Sequence, residues 1–186
     1  MVSLGSLWLP ILVSAVLVFI VSAIIHMVLK YHNSDYTRLP NEDAVRAAIR
    51  AGNPPPAQYM MPYCSDMKDM EKPEVKQKYI EGPVAVMNVL HPGVPSMGKS
   101  LTQWFVFVLC TSFFIGYVAA HSIPLGKTYL EVFQVVGAVG FLAYAAGQMP
   151  ESIWMGRPWR VTLKNVLDGL VYGLVTAGTF GWLWPR

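Results

Sequence analysis

Residues 93–100 read GVPSMGKS and fit the pattern G-x-x-x-x-G-K-[ST] at every position. This pattern marks a phosphate-binding loop, which works only between a strand of a parallel sheet and a helix that packs on that sheet. Here the run that follows the motif is uncharged and long enough to cross a membrane, and Pro95 removes one N–H group that the loop would use. We therefore predict that the match is a false positive and that the chain is not an enzyme. No catalytic residue and no cofactor is predicted.

The same residues have a structural interpretation. Gly93 and Pro95 turn the chain, and Ser96 or Ser100 can cap the coming helix. Lys99 then lies at the depth of the lipid headgroups, where a helix N-terminus and a lysine form a weak site for one lipid phosphate.

The run MMPYCSDMKDM at 60–70 carries soft sulfur ligands of the kind that suit Cu(I). Met61, Cys64 and Met67 are three residues apart, and His91 belongs to the same segment. Steps of three rotate backward around a helix, so these side chains do not converge on one point. Methionines at a membrane surface more often fill apolar gaps, so the metal site is the weaker interpretation.

Asp168 is the acidic residue nearest to hydrocarbon depth in the fourth apolar run, and such a carboxylate is by default a functional candidate. Lys164 lies one turn away, which favours a structural pair between the two. The alternative is an ion path in which Asp168 is joined by Tyr172 and Thr176 on the same face.

These residues must be positioned by membrane helices, because 54% of the 186 residues are hydrophobic and only 13% are charged. The predicted fold is an all-α membrane protein of four transmembrane helices, with a segment of roughly 70 residues between the first and the second. The predicted helices cover 7–29, 101–122, 129–149 and 161–184, and the long segment covers 31–100.

The basic residues predict the orientation. Twelve of the fourteen fall within 30–100 and 151–164, and only Lys127 and Arg186 fall elsewhere. The positive-inside rule therefore places 30–100 and 151–164 in the cytoplasm and both termini in the periplasm.

The 31–100 segment is rich in proline, with short helices predicted at 42–51 and 73–80 and one strand at 83–90. Elements this small bury little surface alone, so we expect the segment to fold against the membrane, the helix ends or a partner.

Small residues recur at every fourth position of the fourth helix, which predicts a close helix–helix contact. They are Gly169, Gly173, Ala177 and Gly181, and the third helix offers Gly137 and Gly140 as the facing surface. The contact lies either within the bundle or with another subunit.

The strings MPYC (61–64), GPVA (82–85), PSMGKSL followed by WF (95–105), SIWMGRPW (152–159) and FGWLWP (180–185) resemble those of uncharacterised bacterial inner-membrane proteins. This resemblance implies a multi-pass protein of the bacterial inner membrane with about four transmembrane helices and no assigned activity.

Together these features favour a non-enzymatic accessory subunit or assembly factor of a membrane complex. Its expected partners are membrane lipids and another membrane protein or a second copy of itself, and no basic patch suggests nucleic acid. The alternatives are a small oligomeric transporter or channel that uses Asp168 and, less favoured, a metal-handling membrane protein that uses the 60–70 run.

Overall fold

The computed structural model describes residues 2–185, so Arg186 lies outside the described residues. The chain is mostly helical. In order, its elements are α1 (Trp8–Ala23), α2 (Glu42–Gly52), β1 (Ala57–Met61), α3 (Pro73–Glu81), β2 (Ala85–Val89), α4 (Met97–Ser122), α5 (Tyr129–Ala145), α6 (Met149–Trp154) and α7 (Trp159–Trp182). Short 3-10 and π turns extend α1 and link α5 to α6.

The elements form two compact units. The helical unit consists of residues 2–36 and 96–185, and the hairpin unit consists of Thr37–Pro95. Each has its own secondary structure: the helical unit holds α1 and α4 to α7, and the hairpin unit holds β1, β2, α2 and α3.

Three helical stretches are long and apolar enough to cross a membrane, as expected of a multi-pass membrane protein. They are Leu4–Val28, Met97–Ser122 and Tyr129–Trp154. The last of these is longer than the predicted helix at 129–149, because a 3-10 turn leads α5 directly into α6. α7 is 24 residues long but less apolar, since it contains Arg160, Lys164 and Asp168 along with several glycines and threonines.

Four helices pack together in the helical unit. α1 contacts α4 and α7, and α5 also contacts α4 and α7. Its core contains large apolar side chains from all four helices, among them Val18, Ile115, Val136 and Phe180. Polar side chains also bond inside this core: Ser14 and Ser112 join α1 to α4 at 2.5 Å between their hydroxyl oxygens.

α5 and α7 meet at a face of small residues. A Cβ on Gly140 would lie 3.0 Å from the Cα of Gly173, and a Cβ on Gly173 would lie 2.8 Å from the backbone nitrogen of Phe141. One turn away, a Cβ on Gly169 would lie 2.8 Å from the Cβ of Ala145. The backbones can approach this closely only because the glycines have no side chain.

The same face continues toward the other end of α7. A Cβ on Gly137 would lie 3.4 Å from the Cβ of Ala177, and a Cβ on Gly181 would lie 2.8 Å from the ring of Tyr129. All six small residues of the predicted face therefore lie in the interface between α5 and α7 within one chain.

In the hairpin unit β1 pairs antiparallel with β2, with Ala57 opposite Val89 and Met61 opposite Ala85. This two-stranded sheet departs from the predicted all-α fold, because the sequence indicated one strand at 83–90 and no partner for it. No side chain within Thr37–Pro95 is fully buried. The unit therefore has little core of its own.

Candidate metal centre

The backbone after α1 turns back toward α7. α1 ends in a π turn at Ile24–Val28, and Lys30 then adopts a left-handed conformation with φ 55°. A 3-10 turn follows at Tyr31–Asp35 and lies against α7. π turns and left-handed non-glycine residues are uncommon and are enriched at functional sites.

Two side chains of this 3-10 turn contact the carboxylate of Asp168 on α7. The Tyr31 hydroxyl donates to its Oδ1, and Nε2 of His32 lies 2.7 Å from its Oδ2. The Asp168 side chain is only 5% exposed. A carboxylate this deeply buried is stable only with such partners.

The second ring nitrogen of His32 is also fixed. Its Nδ1 lies 2.6 Å from Oδ2 of Asp35, and Oδ1 of Asp35 accepts a hydrogen bond from Nζ of Lys164 at 2.6 Å. Lys164 also donates to the Tyr31 carbonyl at 2.7 Å and to the Ser34 hydroxyl at 2.8 Å. The ring of His32 is therefore held in one orientation from both sides.

His26, in the π turn, completes a cluster of three side chains that can bind a metal. Its ring packs against that of His32 with centroids 4.5 Å apart and the ring planes inclined by 35°. One ligand atom each from His26, His32 and Asp168 lie within 4.8 Å of one another. Among residues 2–185, no other group of three His, Cys, Asp or Glu side chains comes together in this way.

The donor set fits a divalent first-row metal ion. Two imidazoles and one carboxylate occur in open zinc sites and in non-haem iron sites. Ligand atoms around tetrahedral zinc lie about 3.4 Å apart. Nε2 of His32 and Oδ2 of Asp168 are 2.7 Å apart, so these two atoms would have to separate slightly to hold an ion. Metal-binding histidines usually have a carboxylate or carbonyl partner on the ring nitrogen that does not bind the metal. The Asp35 carboxylate has this position at Nδ1 of His32, so Nε2 would be the nitrogen that binds a metal.

Charge balance points the same way. Two buried carboxylates, Asp35 and Asp168, flank His32, and Lys164 pairs with Asp35 alone. Among residues 2–185 no lysine or arginine pairs with Asp168, so a bound cation there would balance its buried charge.

A cleft of about 750 Å³ borders this cluster, and both His26 and Asp168 line it. A metal held by the three side chains would therefore be accessible from the cleft, and it could bind an exchangeable ligand there.

The predicted Lys164–Asp168 pair does not form. Lys164 binds Asp35, and His32 takes its place beside Asp168. Tyr172 and Thr176 continue the polar line of Asp168 along α7, and both are buried.

The other predicted metal ligands, which belong to the 60–70 run and to His91, lie in the hairpin unit. Met61 ends β1, Met67 is highly exposed in a 3-10 turn, and the thiol of Cys64 donates to the Asp66 carbonyl. His91 is exposed after β2. Neither Cys64 nor His91 belongs to a cluster of ligating residues in the described chain.

At the phosphate-loop match, the hydroxyl of Ser96 caps α4 by accepting from the backbone N–H of Lys99. The preceding strand, β2, pairs antiparallel with β1. The prediction that this string binds no nucleotide, and the weak lipid-phosphate site at Lys99, stay predictions.

The sequence did not identify Tyr31 or Asp35 as site residues and did not place His32 beside Asp168. The available signal was the string YHNSD at 31–35, which follows an apolar helix that carries His26. His32 and Asp168 are 136 positions apart in the sequence, and their contact depends on the left-handed turn at Lys30.

Comparison with protein-family models, with curated proteins and with solved structures finds no match to this chain.

Ionisation of the Asp35 carboxyl makes the stability of the fold depend on pH in the acidic range. Its burial favours a higher pKa, but hydrogen bonds from Lys164 and His32 outweigh this and hold the pKa of Asp35 below its ordinary value of 3.8. A carboxyl with a lowered pKa stabilises the fold above its unfolded pKa, and this stabilisation is lost as pH falls through the folded pKa. We expect the thermal midpoint of the wild type to fall more steeply below about pH 4 than that of Asp35→Asn. Parallel curves for the two proteins would contradict this.

Proposed function

We propose that the chain is a membrane protein that binds one divalent transition-metal ion, of the zinc class, through His26, His32 and Asp168. The observation that supports this most strongly is the arrangement around His32, whose Nδ1 is held by Asp35 while its Nε2 faces Asp168 and His26. A purely structural ion pair between His32 and Asp168 does not need the second imidazole of His26, nor a cleft at its edge.

We further propose that α7 is the fourth transmembrane helix. Its 24 residues rise about 36 Å, enough to cross the hydrocarbon core. Its polar residues are compatible with this location because Asp168, Tyr172 and Thr176 are buried against neighbouring helices instead of facing lipid.

The distribution of basic residues supports an orientation with 30–100 and 151–164 in the cytoplasm and both termini in the periplasm. The assignment to the bacterial inner membrane depends on the resemblance of the strings quoted above. The metal cluster would then lie at the cytoplasmic end of the helices, where an ion can enter from water.

The test is a zinc titration of the full-length protein in mild detergent, after chelator treatment, against a chromophoric chelator. We expect one zinc ion per chain and a loss of affinity of at least about 100-fold in His32→Ala, because a ligand is removed. The matched control is His121→Ala, since His121 is also near the end of a helix but bonds only the Tyr117 carbonyl within the described chain.

A wild-type protein that binds no stoichiometric zinc would contradict the proposal, as would His32→Ala with wild-type affinity. A thermal melt of each variant shows whether lost binding comes from lost folding.

Transport is a second candidate function, favoured by the buried polar line that leads from Asp168 into the bundle. Tyr172, Thr176 and Thr179 follow Asp168 along α7, and each is at most 4% exposed. A metal bound at Asp168 would be at the entrance of such a path.

The hypothesis of an accessory subunit or assembly factor stays a prediction. The hairpin unit is compatible with it, because that unit has no fully buried side chain and exposes large apolar residues such as Tyr63, Ile80 and Leu90.

A further inference from the structure

The cleft beside the metal cluster is lined by groups that suit a neutral, flat molecule. Aromatic rings of Trp104, Phe107, Tyr144 and Tyr172 form part of its wall, and the amides of Gln103 and Gln148 lie at the same cleft. Its volume of about 750 Å³ is in the range of small-molecule sites. Within the described chain, no lysine or arginine lines it. In the metal-free protein, a phosphate or carboxylate ligand would therefore lie near Asp168 with no basic side chain in the cleft wall to offset its charge.

Two buried hydroxyls in this wall lack partners. Tyr144 is 6% exposed and Tyr172 is 4% exposed, and their ring centroids are 5.7 Å apart. Neither hydroxyl has a hydrogen-bond partner among residues 2–185. The Thr176 hydroxyl lies beside Tyr144, but the two side chains do not form a hydrogen bond. The Thr176 hydroxyl donates instead to the Tyr172 carbonyl at 2.8 Å. Unpaired donors in an apolar interior are unfavourable. Both hydroxyl oxygens are covered by protein in the ligand-free chain, so a ligand with acceptor atoms in the cleft would pair with them after a small rotation of the rings.

We propose that this cleft binds a lipid-soluble quinone. A quinone ring is neutral and planar, so it can stack on the aromatic wall. Its two carbonyl oxygens are acceptors, one for a tyrosine hydroxyl and one for a glutamine amide, and its hydrocarbon tail extends into lipid. The proposal concerns binding alone, and no electron transfer is assigned.

This inference goes beyond the metal proposal and does not depend on it. His26 and Asp168 contribute only as part of the cleft wall, and the donors that select the ligand are Tyr144 and Tyr172. Zinc binding and quinone binding can therefore be measured separately on one preparation, so a failure of either is recognised on its own.

The test titrates the chelator-treated, full-length protein in detergent with a benzoquinone that carries a decyl tail. Quenching of tryptophan fluorescence reports binding, because Trp104 lines the cleft. We expect saturable quenching in the wild type and about tenfold weaker binding in the double variant Tyr144→Phe/Tyr172→Phe, since hydrogen bonds to the ring are lost. The control is Tyr117→Phe, whose exposed ring packs on His121, and its affinity should equal that of the wild type.

A second readout separates ligand donors from structural hydroxyls. Without quinone, the double phenylalanine variant should melt at or above the wild-type midpoint, because it loses two unpaired hydroxyls. A clearly lower midpoint would mean that the hydroxyls are already partnered and would overturn the proposal. Quenching that rises linearly without saturation, equal affinity in the double variant, or equally strong competition by dodecanoate would also overturn it.

Discussion

Replacing Gly173 with leucine is expected to force α5 and α7 apart and to prevent the helical unit from packing. Even a Cβ at this position would lie 2.8 Å from the backbone nitrogen of Phe141, and a backbone atom cannot move aside as a side chain can. Overpacking costs about 1–3 kcal/mol where side chains can adjust, so we expect Gly173→Leu to lower the free energy of unfolding by more than about 3 kcal/mol. The measurement is the thermal midpoint and the monodispersity of the protein purified in detergent.

The matched control is Gly178→Ala, on the same helix. A Cβ at Gly178 would meet only the terminal hydroxyl of Tyr129, at 3.4 Å. This variant should melt close to the wild type, and Gly173→Ala should lie between the two. Wild-type melting and monodispersity of Gly173→Leu would show that α5 and α7 do not pack at this face.

Replacing Asp168 with asparagine is expected to lower zinc affinity by about 100-fold or more, because the metal loses its one anionic ligand. Asparagine keeps the size of the side chain, and its oxygen can still accept from the Tyr31 hydroxyl, so most of the fold should persist. If the protein transports the metal, zinc flux into proteoliposomes should be lost in the same variant. The measurements are the competition titration, the flux assay and a thermal melt.

Asp168→Ala separates the structural contribution of this carboxylate from its metal chemistry. It leaves both the Tyr31 hydroxyl and His32 without their partner, and breaking a buried pair costs about 3–5 kcal/mol. Glu151→Gln is the control, since Glu151 is a more exposed carboxylate in α6 whose ionic partner is Arg157. Unchanged zinc affinity in Asp168→Asn, together with unfolding of Asp168→Ala, would make Asp168 a purely structural residue.

The helices and their close contact could be anticipated because both depend on local composition. Long uncharged runs mark apolar helices, and small residues at every fourth position mark one helix face. The structure brings Gly140 and Gly173 together inside one chain, a choice that the sequence pattern left open.

The metal cluster could not be assembled from the sequence, because it depends on backbone geometry with no strong sequence signal. Lys30 is not a glycine, yet its left-handed conformation returns the chain to α7. The π turn at Ile24–Val28 also changes the direction of His26 relative to a regular helix. Local spacing suggested Lys164 as the partner of Asp168, whereas the returning turn supplies His32 instead.

The small sheet was underpredicted for a related reason. β1, with the sequence AQYMM, has little alternation of polar and apolar residues, and its identity as a strand depends on pairing with β2.

X-ray absorption at the zinc edge, on full-length protein loaded with one equivalent of zinc, would identify the ligands of the metal. We expect a shell of nitrogen and oxygen ligands at about 2.0–2.2 Å, with the multiple scattering of two imidazoles and no sulfur. A sulfur shell at about 2.3 Å would place the ion on thiolate or thioether ligands such as Cys64 and would contradict the assignment to His26, His32 and Asp168.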